Sequence, residues 1–307
     1  SGEGDIRLGT EQQAVILFDT LGHFWQTRHE PNERHHAQQL KSLAEWGLNP
    51  TSFTDNVDVY VPAGYPIRDN NWHELKISYA DLELEDWCGI LGVHRFNDRM
   101  GQLIAQTFDA VTNSGWNRGE WDDGNPPEII NTTRVAANTN FTIDDLIDCA
   151  QNNTAFRNQL RGYDTSTIRA LTSRLESYSQ WDVLGDTGTP MTELFRPGRM
   201  AVIKLNGIDE VQKQMIAGII VKKIFRRAEE IKELGELARV QGQEVPGQHN
   251  MKGWVLVDEA HNLTGNEYGE ALKKIKKKSK NLKIILLSGT PMKNLADDII
   301  DMINFIR

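Results

Sequence analysis

Four short, nearly unbroken apolar runs punctuate the chain. They are Ala14-Val15-Ile16-Leu17-Phe18, Met200-Ala201-Val202-Ile203-Lys204-Leu205, Trp254-Val255-Leu256-Val257 and Lys283-Ile284-Ile285-Leu286-Leu287. Continuous rather than alternating hydrophobicity marks strands covered on both faces, as in a parallel sheet. Three of the runs lead straight into Asp19, Asp258 and Ser288. Ligands of open α/β sheets gather at the carboxyl ends of strands, so these three residues are the first candidates for chemistry.

A helical period follows the second run. Asp209 is placed to cap it, with Gln212 three residues on. Val211, Met215 and Ile219, with Ile216, Ile220 and Ile224, then predict a buried stripe over Glu210–Arg227. Lys222, Lys223, Arg226, Arg227, Glu229 and Glu230 fall outward. The stretch from Val240 to Asn250 has the composition of a loop.

Between about Leu75 and Trp181 the pattern changes. Helical spacing appears around Gly101–Val111, Thr142–Cys149 and Thr167–Ser177. A polar segment rich in Gly, Asn and Pro runs from Asn113 to Asn140. The expectation is a large helical insertion in an α/β sheet, with residues 1–74 and 182–307 forming the two parts of the core and 75–181 the insertion.

The 307 residues are 39% hydrophobic and 25% charged, enough for one large domain or two small ones. No apolar run nears the roughly 20 residues of a membrane helix, so no membrane role is expected. The polar, acidic start Ser1-Gly2-Glu3-Gly4-Asp5 is no signal peptide, and Ser1 in place of methionine suits a processed chain. Cys88 and Cys149 lie far apart without a Cys-x-x-Cys pair, which points to a reduced, cytoplasmic setting without structural zinc. A net charge of −9 does not advertise a nucleic-acid binder, though local basic residues can still touch DNA.

The strongest local signal is Val255-Leu256-Val257-Asp258-Glu259-Ala260-His261-Asn262. An apolar strand ending in Asp-Glu has the form of a Walker B element. Asp258 would hold magnesium through water, and Glu259 would polarise the water that attacks the γ-phosphate. His261 and Asn262 could couple that site to nucleic acid or to a neighbouring subunit. The plainer reading is an acidic turn with Glu259 capping the next helix. About thirty residues later, Leu286-Leu287-Ser288-Gly289-Thr290-Pro291 ends another apolar strand. Ser288 and Thr290 there could sense the γ-phosphate, or simply cap a helix. Asp19 is either part of the nucleotide-sensing set or an Asx-type turn. The basic run Lys273, Lys274, Lys276, Lys277, Lys278, Lys280 and Lys283 is a solvated helix face or a phosphate-backbone track. Trp116 and Trp121, near Arg118, either pack under a loop or stack on bases.

A phosphate-binding loop of the form Gly-x-x-x-x-Gly-Lys-Ser/Thr does not occur in these residues. Gly185-Asp186-Thr187-Gly188-Thr189-Pro190 has no lysine, and Gly289-Thr290-Pro291-Met292-Lys293 has the wrong spacing.

The order of these segments from about Gln13 to Asn262 resembles the HerA/FtsK group of hexameric DNA-pumping ATPases. The resemblance is carried by Ile16 to Trp25, by Arg196 to Ile208 with the helix Glu210–Arg227, and by Asp258 to Asn262. It implies an α/β fold with a parallel P-loop sheet of the RecA/ASCE kind. It also implies ATP and Mg2+ as cofactors, DNA as partner, a homo-oligomeric ring (a hexamer) and a possible nuclease partner. An arginine acting in trans would be expected, with Arg196, Arg199, Arg226 and Arg227 as candidates. The group's phosphate-binding loop precedes the segment matching Asp19, so truncation is expected to explain its absence here. From about Gly253 to Arg307 the chain resembles instead superfamily 2 helicases of large DNA viruses. Asp258, Glu259 and His261 match their Asp-Glu-x-His motif, and Ser288 and Thr290 match Ser-x-Thr. The two resemblances meet at Asp258–Asn262, which suggests a chimera. Two other readings stay open: a superfamily 2 helicase fragment, and an inactive module that binds DNA or a partner ATPase.

Overall fold

The computed structural model describes residues 13–122, 124, 128–157, 162–242, 252–257 and 282–286. In chain order the strands and helices are β1 (Gln13–Asp19), α1 (Glu33–Glu45), β2 (Val57–Pro62), β3 (Trp72–Leu75), β4 (Ile77–Ser78), α2 (Leu84–Leu91) and α3 (Arg99–Asp109). They continue with β5 (Trp116–Trp121), β6 (Ile129–Val135), α4 (Ile143–Asn152), α5 (Thr165–Tyr178), β7 (Leu184–Gly185) and α6 (Met191–Leu194). The last are β8 (Met200–Lys204), α7 (Glu210–Val240), β9 (Lys252–Val257) and β10 (Leu282–Leu286). The chain divides into two compact units, 1–74 with 190–307, and 75–189.

The first unit is built on a six-stranded sheet in the order β10-β9-β1-β8-β2-β3. The pairs β10/β9, β9/β1, β1/β8 and β8/β2 are all parallel. All four apolar runs of the sequence are strands of this sheet. Every residue of β1 is buried. Burying its four large apolar side chains is worth roughly 6–12 kcal/mol before entropy is counted. Leu17 joins Val57, Val59, Val61, Trp72 and Val202 in one apolar cluster.

Helix α7 starts at the expected place, with the Asp209 side chain accepting from the Gln212 amide at 3.0 Å. Met215, Ile216, Ile219, Ile220 and Ile224 are buried as the period requires. Val211 is not: it is 64% exposed, because the first turn of α7 runs outside the core. The helix also continues well past Arg227, to Val240.

The second unit packs α2 to α5 around Trp87, Leu103, Ile104, Leu146, Leu171 and Leu175, all fully buried. Capping boxes start α2 (Glu83 with Asp86) and α4 (Thr142 with Asp145). The polar segment after α3 is not irregular. It contains an antiparallel hairpin, with β5 paired to β6 from Trp116↔Val135 to Trp121↔Ile129. The unit is also closed by a short parallel pair, Ile77↔Leu184 and Ser78↔Gly185. Cys88 and Cys149 are free and buried, and burial pushes the Cys149 thiol up to about 12.

Candidate functional site

The carboxyl ends of the parallel strands lie in register. Phe18 pairs with Val257, Asp19 with Lys204, and Val257 with Leu286. Strand β9 therefore sits between β1 and β10, and its last described residue, Val257, directly precedes Asp258 in the sequence. Asp258, Glu259, His261, Asn262, Ser288, Thr290 and the lysine run up to Lys280 lie outside the described residues. Asp19 is the predicted site residue that the structure places.

Asp19 is fully buried. Its Oδ1 accepts from the amides of Gly22 at 2.8 Å and His23 at 2.9 Å, and its Oδ2 from Phe24 at 2.9 Å. Three amides thus hold both oxygens of one carboxylate and fold the strand end into a 3-10 turn, Phe24–Arg28. This is the Asx-like turn among the two readings of Asp19. Gly22 has φ +77, and a Cβ there would lie 2.6 Å from Asn206 Cγ. The left-handed φ is what favours glycine; the Asn206 side chain would have to shift to admit a Cβ.

Asn206 accepts a hydrogen bond from Lys204 Nζ. That ammonium also lies over the Trp72 indole, 5.4 Å from the ring centroid, within cation–π range. Burial lowers the Lys204 pKa below its ordinary 10.5; the Asp19 charge opposes this and the like charge of Arg68 adds to it. Trp72 is 8% exposed, and its Nε1 is buried with no partner among the described residues. Trp25 meets it edge-on, with ring centroids 5.4 Å apart. Sequence reasoning missed Lys204, Asn206, Trp72 and Arg68. The available signal was Lys204 itself, a cation interrupting an apolar strand at its carboxyl end.

A second charged cluster lies towards the other end of the strands. Arg199 makes a bidentate pair with Asp58, near the start of β2. His73 and Arg196 each approach the same carboxylate to 4.0 Å. Burial tends to raise the Asp58 pKa, but the Arg199 hydrogen bond and charge, with those of Arg196 and His73, bring it below the ordinary 3.8. Burial and the Asp58 charge push the neighbouring Tyr60 phenol up to about 12. Among the candidate trans-acting arginines, Arg199 is therefore held by its own chain. Arg227 pairs with Glu230 along α7 at 3.3 Å.

In the other unit, Trp116 is 4% exposed, Arg157 stacks on Trp121 at 4.7 Å, and Arg118 pairs with Asp148 at 3.2 Å. These aromatics are packed within the hairpin region rather than presented as an open platform. Among the described residues no group of three or more His, Cys, Asp or Glu side chains is placed to hold a metal ion. No helix among them is long and apolar enough to cross a membrane.

The sheet defines an α/β protein with a largely parallel central sheet. Residues 7–224 match the family model described as Helicase HerA, central domain. The chain belongs to that family. A protein of Acanthamoeba polyphaga mimivirus, named as an ATP-dependent RNA helicase, is 62% identical over 53 residues. That match covers 17% of this chain and 5% of the relative's length. Two crystal forms of the bacterial conjugative coupling protein TrwB, with its first 70 residues deleted, align over 97% of the chain and 68% and 67% of theirs. Sequence identity is 14% and 13%, at a TM-score of 0.35 for each.

Proposed function

We propose that the chain is part of an ATP-driven motor of the HerA kind, in which ATP hydrolysis is coupled to movement on DNA. The observation that supports this most directly is the parallel pairing of β9 with β10 at one end of the six-stranded sheet. The two strands that lead into Asp258-Glu259 and Ser288-Gly289-Thr290 are neighbours, in register at Val257↔Leu286. An acidic strand end beside a hydroxyl-bearing one is what a nucleotide site requires. Asp258 would hold magnesium through water, a hard ion suited to carboxylate oxygen. Glu259 would orient and deprotonate the attacking water, and Ser288 and Thr290 would report the state of the γ-phosphate. The magnesium supplies charge neutralisation at the phosphates. His261 and Asn262 would link the site to a neighbour or to DNA. Asp19, with both oxygens occupied, would act by fixing the turn beside β9 rather than by touching nucleotide.

The donor set suits magnesium. The phosphates fit less well, since the sequence has no Gly-x-x-x-x-Gly-Lys-Ser/Thr loop to cradle them. Weak affinity of this chain for ATP follows. The test is titration of a fluorescent ATP analogue with and without magnesium, beside Asp258→Asn. Magnesium-dependent binding lost in the variant supports the proposal. Absence of any such binding favours the non-enzymatic reading, a module that binds DNA or a partner ATPase. A superfamily 2 helicase is the remaining alternative, favoured by the helicase-named relative. Sedimentation separates the two motors: a ring supports the HerA reading and a monomer the helicase.

A further inference from the structure

We propose that the outer edge of β6 pairs with β6 of a second copy of this chain. The pairing is antiparallel, about a two-fold axis at Thr132, and gives a four-stranded sheet β5-β6-β6′-β5′. It uses no residue of the ATPase reading and is independent of it.

The hairpin is a two-stranded sheet with two unlike edges. The edge of β5 is closed by its own chain: Arg118 bridges to Asn153, and the Thr154 amide donates to the Asn117 carbonyl at 3.0 Å. The edge of β6 meets no strand among the described residues, and β6 is exposed from Ile129 to Arg134.

The backbone of that edge points outward. In an antiparallel ladder the N–H and C=O of one residue turn to the same side, and successive residues turn to opposite sides. The Asn117 carbonyl is taken by Thr154, away from β6, so its cross-strand partner Arg134 turns its own N–H and C=O away from β5. Thr132, opposite Gly119, shares that orientation. Its amide agrees, since it donates to the Asn131 side chain at 2.8 Å rather than across the ladder. The β-bulge lies at the other end, between Glu120 and Trp121, which leaves the edge regular from Asn131 to Val135. A bare edge of this kind templates a further strand, and a two-stranded ribbon is marginal until one is added.

Charge selects the occupant. Between Ile129 and Val135 the one charged residue is Arg134, whose contact is the Ser114 carbonyl. The other end of the hairpin carries Glu120 and Glu128, both exposed and without an ion pair among the described residues. The edge is thus basic at one end and acidic at the other, and a strand of either single charge would be mismatched at one of them. An antiparallel copy reverses the order. The two-fold at Thr132 sets Arg134 opposite Ile130 of the other chain, within a long side chain's reach of Glu128, and does so twice. The uncharged Thr132 and Thr133 sit at the axis, where like charges would repel. The contact joins identical surfaces, unlike the head-to-tail interfaces of a closed ring. One strand pair falls short of the area of a permanent dimer, so the association is weak and depends on concentration.

Sedimentation velocity of the full chain from about 1 to 200 µM should show a reversible doubling of mass, whether the unit that doubles is a monomer or a ring. Thr132→Pro removes one outward N–H and leaves the β5–β6 hydrogen bonds in place, so it should weaken the doubling at least about tenfold. Arg134→Glu should weaken it about 3–10-fold, and adding Glu128→Arg should restore it, because the exchanged charges are again complementary in an antiparallel self-pair. If circular dichroism shows that Thr132→Pro does not fold, the parent decides: exchange of the Thr132 and Arg134 amides should slow as its concentration rises. A parent mass that does not change with concentration would overturn the proposal. So would doubling indifferent to both Thr132→Pro and Arg134→Glu, or exchange at those two amides that ignores concentration.

Discussion

Removing the Asp19 carboxylate should unravel the turn that follows β1. Three amide hydrogen bonds at 2.8–2.9 Å end on this one buried side chain. Each bond to a charged acceptor is worth about 1.5–3 kcal/mol net, and the sum exceeds the true cost because the turn relaxes and water enters. Asp19→Ala should therefore cost about 3–5 kcal/mol, a large part of an ordinary stability of about 5–15 kcal/mol. Asp19→Asn keeps an acceptor for Gly22 and His23 but points its amide at the Phe24 N–H, so about 2 kcal/mol is expected. Urea unfolding followed by circular dichroism gives both values. Hydrogen exchange adds a local reading: the amides of Gly22, His23 and Phe24 should be protected in the parent and exchange freely in the Ala variant. A cost below about 0.5 kcal/mol for Asp19→Ala, or equal costs for Ala and Asn, would refute the three-amide account.

Other consequences are as direct. Gly22→Ala combines a left-handed backbone with a contact of 2.6 Å to Asn206; a loss of about 2–3 kcal/mol is expected in the same melts. The Asp58 carboxyl has a folded pKa below its unfolded one. Its contribution is thus present above about pH 4 and lost as pH falls through the folded value. Arg199→Ala should lower stability by about 2–4 kcal/mol at pH 7 and flatten the acid limb of the stability–pH curve. Cys149, buried and pushed up to about 12, should resist iodoacetamide at pH 8 in the folded chain and react once urea unfolds it.

Four of the six strands were legible because they are continuous apolar runs, and β1 is buried throughout as such a run implies; β2 and β3 carry polar residues and gave no such run. The four apolar runs needed no alternation to be seen, and Asp209 with Gln212 marked the start of α7. Strand order was not legible, since nothing in residues 14–18 or 254–257 says which runs are neighbours. The hairpin was hidden for a physical reason. Strand β6, from Ile129 to Val135, is exposed along nearly its whole length, so no apolar period marks it, and its polar residues resemble a loop. Val211 fits the helical period and is still exposed, because period does not tell where the core ends. At the site, Asp19 was found as a strand-end acid, but its three backbone partners depend on a turn that sequence does not specify. Lys204 and Trp72 were missed because the sheet order, with β2 between β8 and the short strand β3, brings them together across more than 130 residues.

The central claim is that β9 ends in the acidic half of an ATP site. The most direct measurement is magnesium-dependent ATP turnover by the purified chain, with and without DNA, beside Glu259→Gln. The account predicts weak turnover that requires magnesium and falls at least about tenfold in Glu259→Gln while nucleotide binding is retained. Turnover unchanged by that substitution, or no turnover and no binding in the parent, would contradict it.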